Sequence, residues 1–588
     1  MKSARPLPIA LALLLMASCR AGERPAPARS AAQPGNPVEL GSGPGVEVFP
    51  AFSPDGLSVA YCSNATGAFE IYVRPAKPGG APRQITTDGR QNLQPTWSPD
   101  GKRLAYHSKD HGGIWEMPAE GGPARSLTDF GTKPSWSPDG KWIVFQVHPI
   151  TDLGATSVTS FPPSTIWVVP ARGGAARQVT ESLIPSGGHG NPMITADGKR
   201  ILFTAIDPKL FDGQLWSVPF EGGVPTLLFE RPRLFDPAIA ADGRIVYFGD
   251  RSPEFHFGLW RMRLSASGTP EGKAELVTQV GRTVARHPTL SPDGRTVIWS
   301  ALSTAGNIWS LPVTPQGEPA GPATRLTHEQ ARSTWPVFSP SGRSIAFGRS
   351  WPGLNPDVWT MDSNGHNPRQ ITTNAAADLI GNWYPDERRL FFVTDREKRA
   401  ALWTIDSVTH AEEPLPLSDP DIGIPRMSPD GTRLAYQSKM GSPTINIWIV
   451  EILSGKKRQL TFDREFIGFP CWSPDGRTVA MQVGRGDDAQ VAFVSSDGGD
   501  PVQLTFDRGL SWPFSWSPDN DRIAFAGSRH DRWAIWWVSR STKKQHRVTA
   551  DVPLNAYVRY PDWSPKGDRI AYEYGETTGH LWTMPTGD

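Results

Sequence analysis

Along most of the chain, short runs of alternating apolar and polar residues are separated by turns built from Pro, Asp and Gly. Residues 94–108, "QPTWSPDGKRLAYHS", show the unit. "QPTWS" and "RLAYHS" alternate with the period of two that marks half-buried strands. The turn Pro99-Asp100-Gly101 joins them. Proline presets φ for such a turn, aspartate bonds the backbone ahead, and glycine accepts a positive φ. Two more strand-like pieces follow, "GIWEM" and "ARSLT", around the turn "AEGGP". The pattern therefore predicts four short antiparallel strands, A to D, in one unit.

The unit recurs. SPDG begins at Ser53, Ser98, Ser137, Ser291, Ser428 and Ser473, with weaker copies at Thr195, Ala240, Ser339, Tyr384, Ser517 and Ser564. Twelve four-stranded units at a period near 45 residues are the signature of propeller blades. A tryptophan returns in strand C at Trp115, Trp167, Trp216, Trp260, Trp309, Trp359, Trp403, Trp448, Trp536 and Trp582. One per blade reads as packing between blades.

These repeats resemble the WD40-like β-propeller family typified by the periplasmic protein TolB, over residues 37 to 588. The resemblance implies an all-β fold of tandem propellers and an envelope setting. It implies function only weakly, because propellers serve unrelated roles. TolB carries an α/β domain where this chain has further blades, so a Tol–Pal role does not follow.

Strand D follows repeats one to eleven, whereas the twelfth ends after strand C at "HLWTMPTGD", and a spare strand, "PVELG" at 37–41, precedes the first. This offset predicts two six-bladed rings, with 37–41 completing the sixth blade and 323–327 the twelfth. The alternative is one interlocked arrangement in which 37–41 pair with the twelfth blade. The expected division is a first propeller over 37–318 and a second over 319–588.

Composition agrees with this class: 58 Gly, 58 Pro and 23 Trp disfavour helices and favour turns and strands. Net charge is +1, from 60 basic and 59 acidic residues, which argues against a nucleic-acid footprint. Lys2 and Arg5 precede an apolar run of twelve residues, "LPIALALLLMAS", too short to span a bilayer. It ends in "MASC", which resembles a bacterial lipobox with Met at its first position, so residues 1–19 are expected to be a signal peptide and Cys19 the lipidated residue. Arg20 in place of an aspartate favours the outer membrane. Residues 20–36 read as a disordered tether. Cys62 and Cys471 fall in different repeats, so no disulfide framework is expected.

Strand order places the A–B and C–D turns on one face and the D–A and B–C connections on the other. The second face carries the irregular segments and is the expected seat of function. The residue before the strand-A proline is expected near each ring axis on that face. In the first ring these positions hold Phe49, Gln94, Lys133, Asn191, Asp236 and His287, with His189 close by. In the second they hold Trp335, Ile424, Phe469, Trp512 and Tyr560, and Asn382 is the counterpart in the eighth repeat, which lacks the proline. The first mouth is thus polar and the second aromatic and apolar, and both are expected to bind ligand.

His189, His287, Gln94 and Asp236 carry donors that suit a metal, as in some lyases with related repeats. A satisfied polar channel is the favoured reading, and neither metal nor cofactor is assigned. No G-x-S-x-G elbow, H-E-x-x-H, C-x-x-C pair, P-loop or G-x-G-x-x-G occurs. A scaffold binding a protein or peptide in the cell envelope is therefore preferred over a glycan-active lyase or hydrolase working in the first mouth, and no catalytic residue is named.

Overall fold

The computed structural model describes residues 35–587 apart from short segments, the longest being 148–163. The signal sequence, Cys19 and most of the tether lie outside the described residues. The described residues are all-β: ten four-stranded antiparallel sheets and one of six strands. Each four-stranded sheet has its strands in chain order, as in Asn92–Trp97, Arg103–Ser108, Ile114–Pro118 and Arg125–Ser126. These are the expected blades A to D.

The A–B turn is fastened as its sequence predicts. The Ser98 hydroxyl donates to Asp100 Oδ1 at 2.5 Å, and that oxygen also accepts from Lys102 N at 3.1 Å. Arg103 N donates back to Ser98 Oγ at 3.0 Å, and Gly101 takes φ 70°. Neighbouring blades are joined by the tryptophan before this turn. Trp97 Nε1 donates to Ala51 O at 3.0 Å, Trp472 Nε1 to Arg426 O at 2.9 Å and Trp516 Nε1 to Cys471 O at 3.1 Å. The strand-C tryptophans pack between blades, as Trp115 does against a cluster drawn from the first and second repeats.

The chain forms two compact units, one of residues up to 304 together with 577–588, the other of 305–576 within the described chain. The six-stranded sheet explains the division. Thr296–Pro312 and Arg569–Pro585 are uninterrupted 17-residue strands in which B and C have fused, with no turn between them. Each changes unit midway. Residues 297–302 pair with Val284–Leu290, and 581–583 pair with Val38, Glu39 and Gly41. Thr586 N donates to Arg295 O at 2.9 Å, tying the carboxy-terminal segment to the first unit. In the second unit, 570–576 pair with Ala556–Trp563, and Trp309 and Ser310 pair with Arg325 and Thr324.

Each unit thus closes on a sixth blade assembled from both halves of the chain. Residues 38–41 and 324–325 are fourth strands, while the sixth and twelfth repeats exchange their third strands. The division expected at 318/319 is replaced in the structure by two crossings, at 304/305 and 576/577. Segments of Ser, Thr, Ala and Gly, "LSTAG" and "GETTG", connect B to C there, and they continue the extended backbone where other repeats turn. Cys62 and Cys471 are free and buried, one in each unit.

Candidate functional site

Strand A of each blade lines its ring axis, and a β-bulge aims one residue at it. In ten blades the residue before the strand-A proline has φ between 39° and 58°. The ladder slips at the same place, for example between Leu93 and Thr96 and between Gly468 and Cys471. Bulges re-aim side chains in this way, although a left-handed φ is uncommon outside glycine. Phe49, Gln94, Lys133, Asn191, Asp236, His287, Trp335, Ile424, Phe469 and Tyr560 all share this geometry.

In the first unit the bulges bring an ionic cluster together. Asp236 Oδ2 accepts from Arg286 Nε at 2.7 Å, His287 Nε2 lies 3.5 Å from the same oxygen, and Lys133 Nζ is 3.8 Å from Oδ1. Burial works against the Asp236 charge, but Arg286, His287 and Lys133 hold its carboxyl well below the usual range. Burial, with Arg286 and Lys133, pushes His287 well below its ordinary value against the opposing pull of Asp236. The Phe49 ring covers His287 at 3.9 Å, and Lys133 Nζ lies 5.2 Å from the Phe49 centroid. Gln94 Oε1 accepts from Lys133 N at 2.7 Å, and Asn191 Nδ2 donates to Thr204 Oγ1 at 3.1 Å.

His189 does not join this cluster. It is fully buried and bonded to Thr180 Oγ1, at the end of the preceding blade, and to Pro185 O in the connection between the blades, at 2.9 Å each. These bonds hold it away from Asp236 and His287, so the metal set built on it does not assemble. Among the described residues no three His, Cys, Asp or Glu gather as metal ligands.

In the second unit the aromatic residues meet around one that the repeat alignment overlooks. Trp335 stacks on Tyr560 at 4.8 Å, and Phe469 on Trp512 at 5.8 Å. Phe514 sits among them, edge-on to Tyr560 at 4.9 Å, to Trp335 at 5.9 Å and to Phe469 at 6.0 Å. "WPFSWSPD" carries one more residue between the proline and the turn than "FPCWSPD". The bulge therefore moves to lie between Pro513 and Ser515. Phe514 becomes the central residue, while Trp512 keeps an ordinary strand φ and packs outward on Trp533 at 4.9 Å. Ile424 is buried beside Trp335. In the eighth repeat the bulge falls at Gly381, where a Cβ would lie 2.1 Å from the Phe391 ring.

A cavity of about 500 Å³ follows the axis of this unit. It is bounded at one end by Trp335, Phe514 and Tyr560 and ringed by the prolines of all six A–B turns, such as Pro340 and Pro429. Its walls include Val337, Arg426, Cys471 and Asp562, each two residues after a bulged one, together with Asn382 and Ser515, which directly follow the bulged Gly381 and Phe514. Three of these fix the next blade: Asn382 Oδ1, Ser515 Oγ and Asp562 Oδ2 accept from Met427 N, Trp563 N and Phe338 N at 3.3, 2.9 and 2.7 Å. Burial raises the Asp562 carboxyl to about 7, a rise that this amide bond and Arg426 only partly oppose. Burial also lowers Arg426 to about 10 and lifts the Cys471 thiol to about 12.

The description "TolB beta propeller domain" matches residues 34–149 and 411–582, and "Tricorn protease N-terminal beta propeller domain" matches 301–444. The chain is a TolB-like β-propeller repeat protein. It is 32% identical over 159 residues to an uncharacterized protein of Agrobacterium fabrum, covering 25% of this chain and 52% of that protein. It is 28% identical to the Tol-Pal system protein TolB of Anaeromyxobacter dehalogenans, over 24% of this chain and 32% of the relative. The chain thus spans about half and about a third of the curated relatives it matches. The crystal structure of TolB from Acinetobacter baumannii superposes with a TM-score of 0.37 at 16% identity, over 54% of this chain and 82% of that one.

Three features of this TolB-like chain escaped the reading of its axial residues. Arg286 adjoins His287, and Arg426 and Asp562 lie two residues beyond the axial bulge. Period-two alternation returns a side chain to the same strand face every second residue, so the wall positions were open to the same repeat count. The cavity also opens on the A–B turn face, whose uniform sequence reads as a structural rim.

Proposed function

We propose that this TolB-like chain is an envelope-anchored scaffold that captures a protein or peptide on the face formed by its D–A and B–C connections. One observation carries the proposal. Phe462 and Phe506 occupy equivalent places in the D–A connections of neighbouring repeats, in "LTFDR" each time, and are 78% and 65% exposed. Trp351, in a B–C connection of the same unit, is 36% exposed. Large aromatics held in water at repeated places on one face are characteristic of surfaces that a partner covers. The axial aromatics support this as a rigid base rather than as the contact itself, because Trp335, Phe469, Phe514 and Tyr560 are largely spent on one another.

The glycan-active alternative loses support in the first mouth, where Asp236, His287, Lys133 and Arg286 are committed to a single ionic cluster. Placement in the periplasm or at the outer membrane rests on the lipobox-like "MASC" and on the Tol-Pal names of relatives that the chain matches in part. Cys19→Ala should move the protein from the membrane to the soluble fraction and stop fatty-acid labelling; unchanged fractionation refutes the anchor. Photo-crosslinking in cells tests the face. A benzophenone amino acid at Phe462 or Phe506 should give discrete protein adducts, and one at Leu453 or Val408, on the C–D turns, should not. Adducts from the C–D turns alone would refute the proposal.

A further inference from the structure

We infer that the axial cavity of the second unit binds a small organic monoanion, a carboxylate carried on a flat ring. Its charge pairs with Arg426 and its ring lies against Trp335, Phe514 and Tyr560. This site is separate from the partner face proposed above and stands or falls independently of it.

The cavity, about 500 Å³, falls in the size range of small-molecule sites, about 300–1,000 Å³. Arg426 supplies the charge. It is buried, its Nη1 donates to Gly381 O at 3.2 Å, and its guanidinium lies 4.8 Å from the Trp335 ring centroid. It makes no ion pair among the described residues. A guanidinium has five N–H donors in a fork that fits a carboxylate, and a buried cation without a counter-ion is costly. An anion is what the cavity lacks while Asp562 keeps its proton. The ring follows from the aromatic end wall and the surrounding prolines, which offer flat apolar surface and few hydrogen bonds.

The second ionisable wall group limits the ligand to one charge. Asp562 is the sole carboxylate among the lining residues, and its Oδ2 is held by Phe338 N at 2.7 Å. The charged and titratable groups that face it are Arg426 and Cys471, with Tyr560 against Arg426; the buried thiol and phenol stay protonated at neutral pH. With Asp562 near 7, the cavity carries one net positive charge below neutrality and close to none above it. A bound monoanion repels ionised Asp562 and therefore takes up a proton with the ligand. Affinity must rise as pH falls.

The test is calorimetric titration of the full-length protein with 2-naphthoate and its neutral isostere 2-naphthamide. Naphthoate should bind at least about tenfold more tightly, the order of discrimination an ion pair to a desolvated guanidinium supplies. Its affinity should increase several-fold from about pH 8 to about pH 6, as linkage to one raised carboxyl requires. Arg426→Met should abolish the preference, and Asp562→Asn should flatten the pH dependence. Equal binding of the two probes, binding of neither, or a preference that survives Arg426→Met would overturn the inference. Should Arg426→Met fail to fold, the unmodified protein still decides, since an affinity for naphthoate unchanged with pH overturns it alone.

Discussion

Leu581→Ala tests the closure of the rings, because it is far along the chain from the unit it should weaken. Leu581 lies five residues after the crossing at 576/577 and is fully buried against Leu40, Val59, Tyr61, Tyr72 and Ile298, all of the first unit. Its amide donates to Glu47 Oε2 at 3.1 Å, and its strand is held on both sides, so the site has little freedom to collapse. Leu→Ala in such a core costs about 2–5 kcal/mol, and the confined setting points to about 3–4. For a unit of this size each kcal/mol lowers Tm by about 2–4 °C, giving a fall of roughly 6–16 °C. Hydrogen exchange read by mass spectrometry locates the loss. Protection should fall in peptides spanning 47–302 and hold in those spanning 332–563. Loss confined to 332–563 would mean that the carboxy-terminal strand belongs to the second ring and would refute the exchange.

Phe514→Ala should weaken the second unit by about 3 kcal/mol, the low end for a buried Phe because the void joins an existing cavity, whereas Phe462→Ala should stay within about 0.5; equal melting shifts would refute the plug. Asp236→Ala leaves the buried Arg286 beside the half-buried Lys133 without a counter-ion and should cost about 3–5 kcal/mol in urea unfolding of the first unit; a neutral result would mean that the cluster is solvated. Asp562, near 7 when folded against 3.8 as a free carboxyl, keeps a proton that the unfolded chain gives up. Its contribution is therefore present below about pH 4 and lost as pH rises to about 7. Asp562→Asn should match the parent at acid pH and exceed it at about pH 8, and the reverse order in denaturant midpoints would refute the burial assigned to it.

What was legible in the sequence is what repetition enforces. Six repeats carry the Ser-Asp-Gly lock in full and six more carry it in part, so repetition exposed the turn, and the bulge gave ten axial positions their common geometry. Legibility failed where a repeat departs from register. One inserted residue in "WPFSWSPD" moves the bulge and puts Phe514, not Trp512, at the centre. His189, counted by nearness in sequence, is held instead by Thr180 and Pro185. The crossings left only a negative mark, the absence of a turn between strands B and C of the sixth and twelfth repeats. Two rings joined by such an exchange have a physical consequence. Either closing blade needs strands separated by more than two hundred residues, so neither ring can complete its sheet until both halves of the chain are made. Folding of the first ring must then await Leu581, although all its other blades precede residue 305. A chain truncated at residue 576 should therefore leave the first ring open while the second closes.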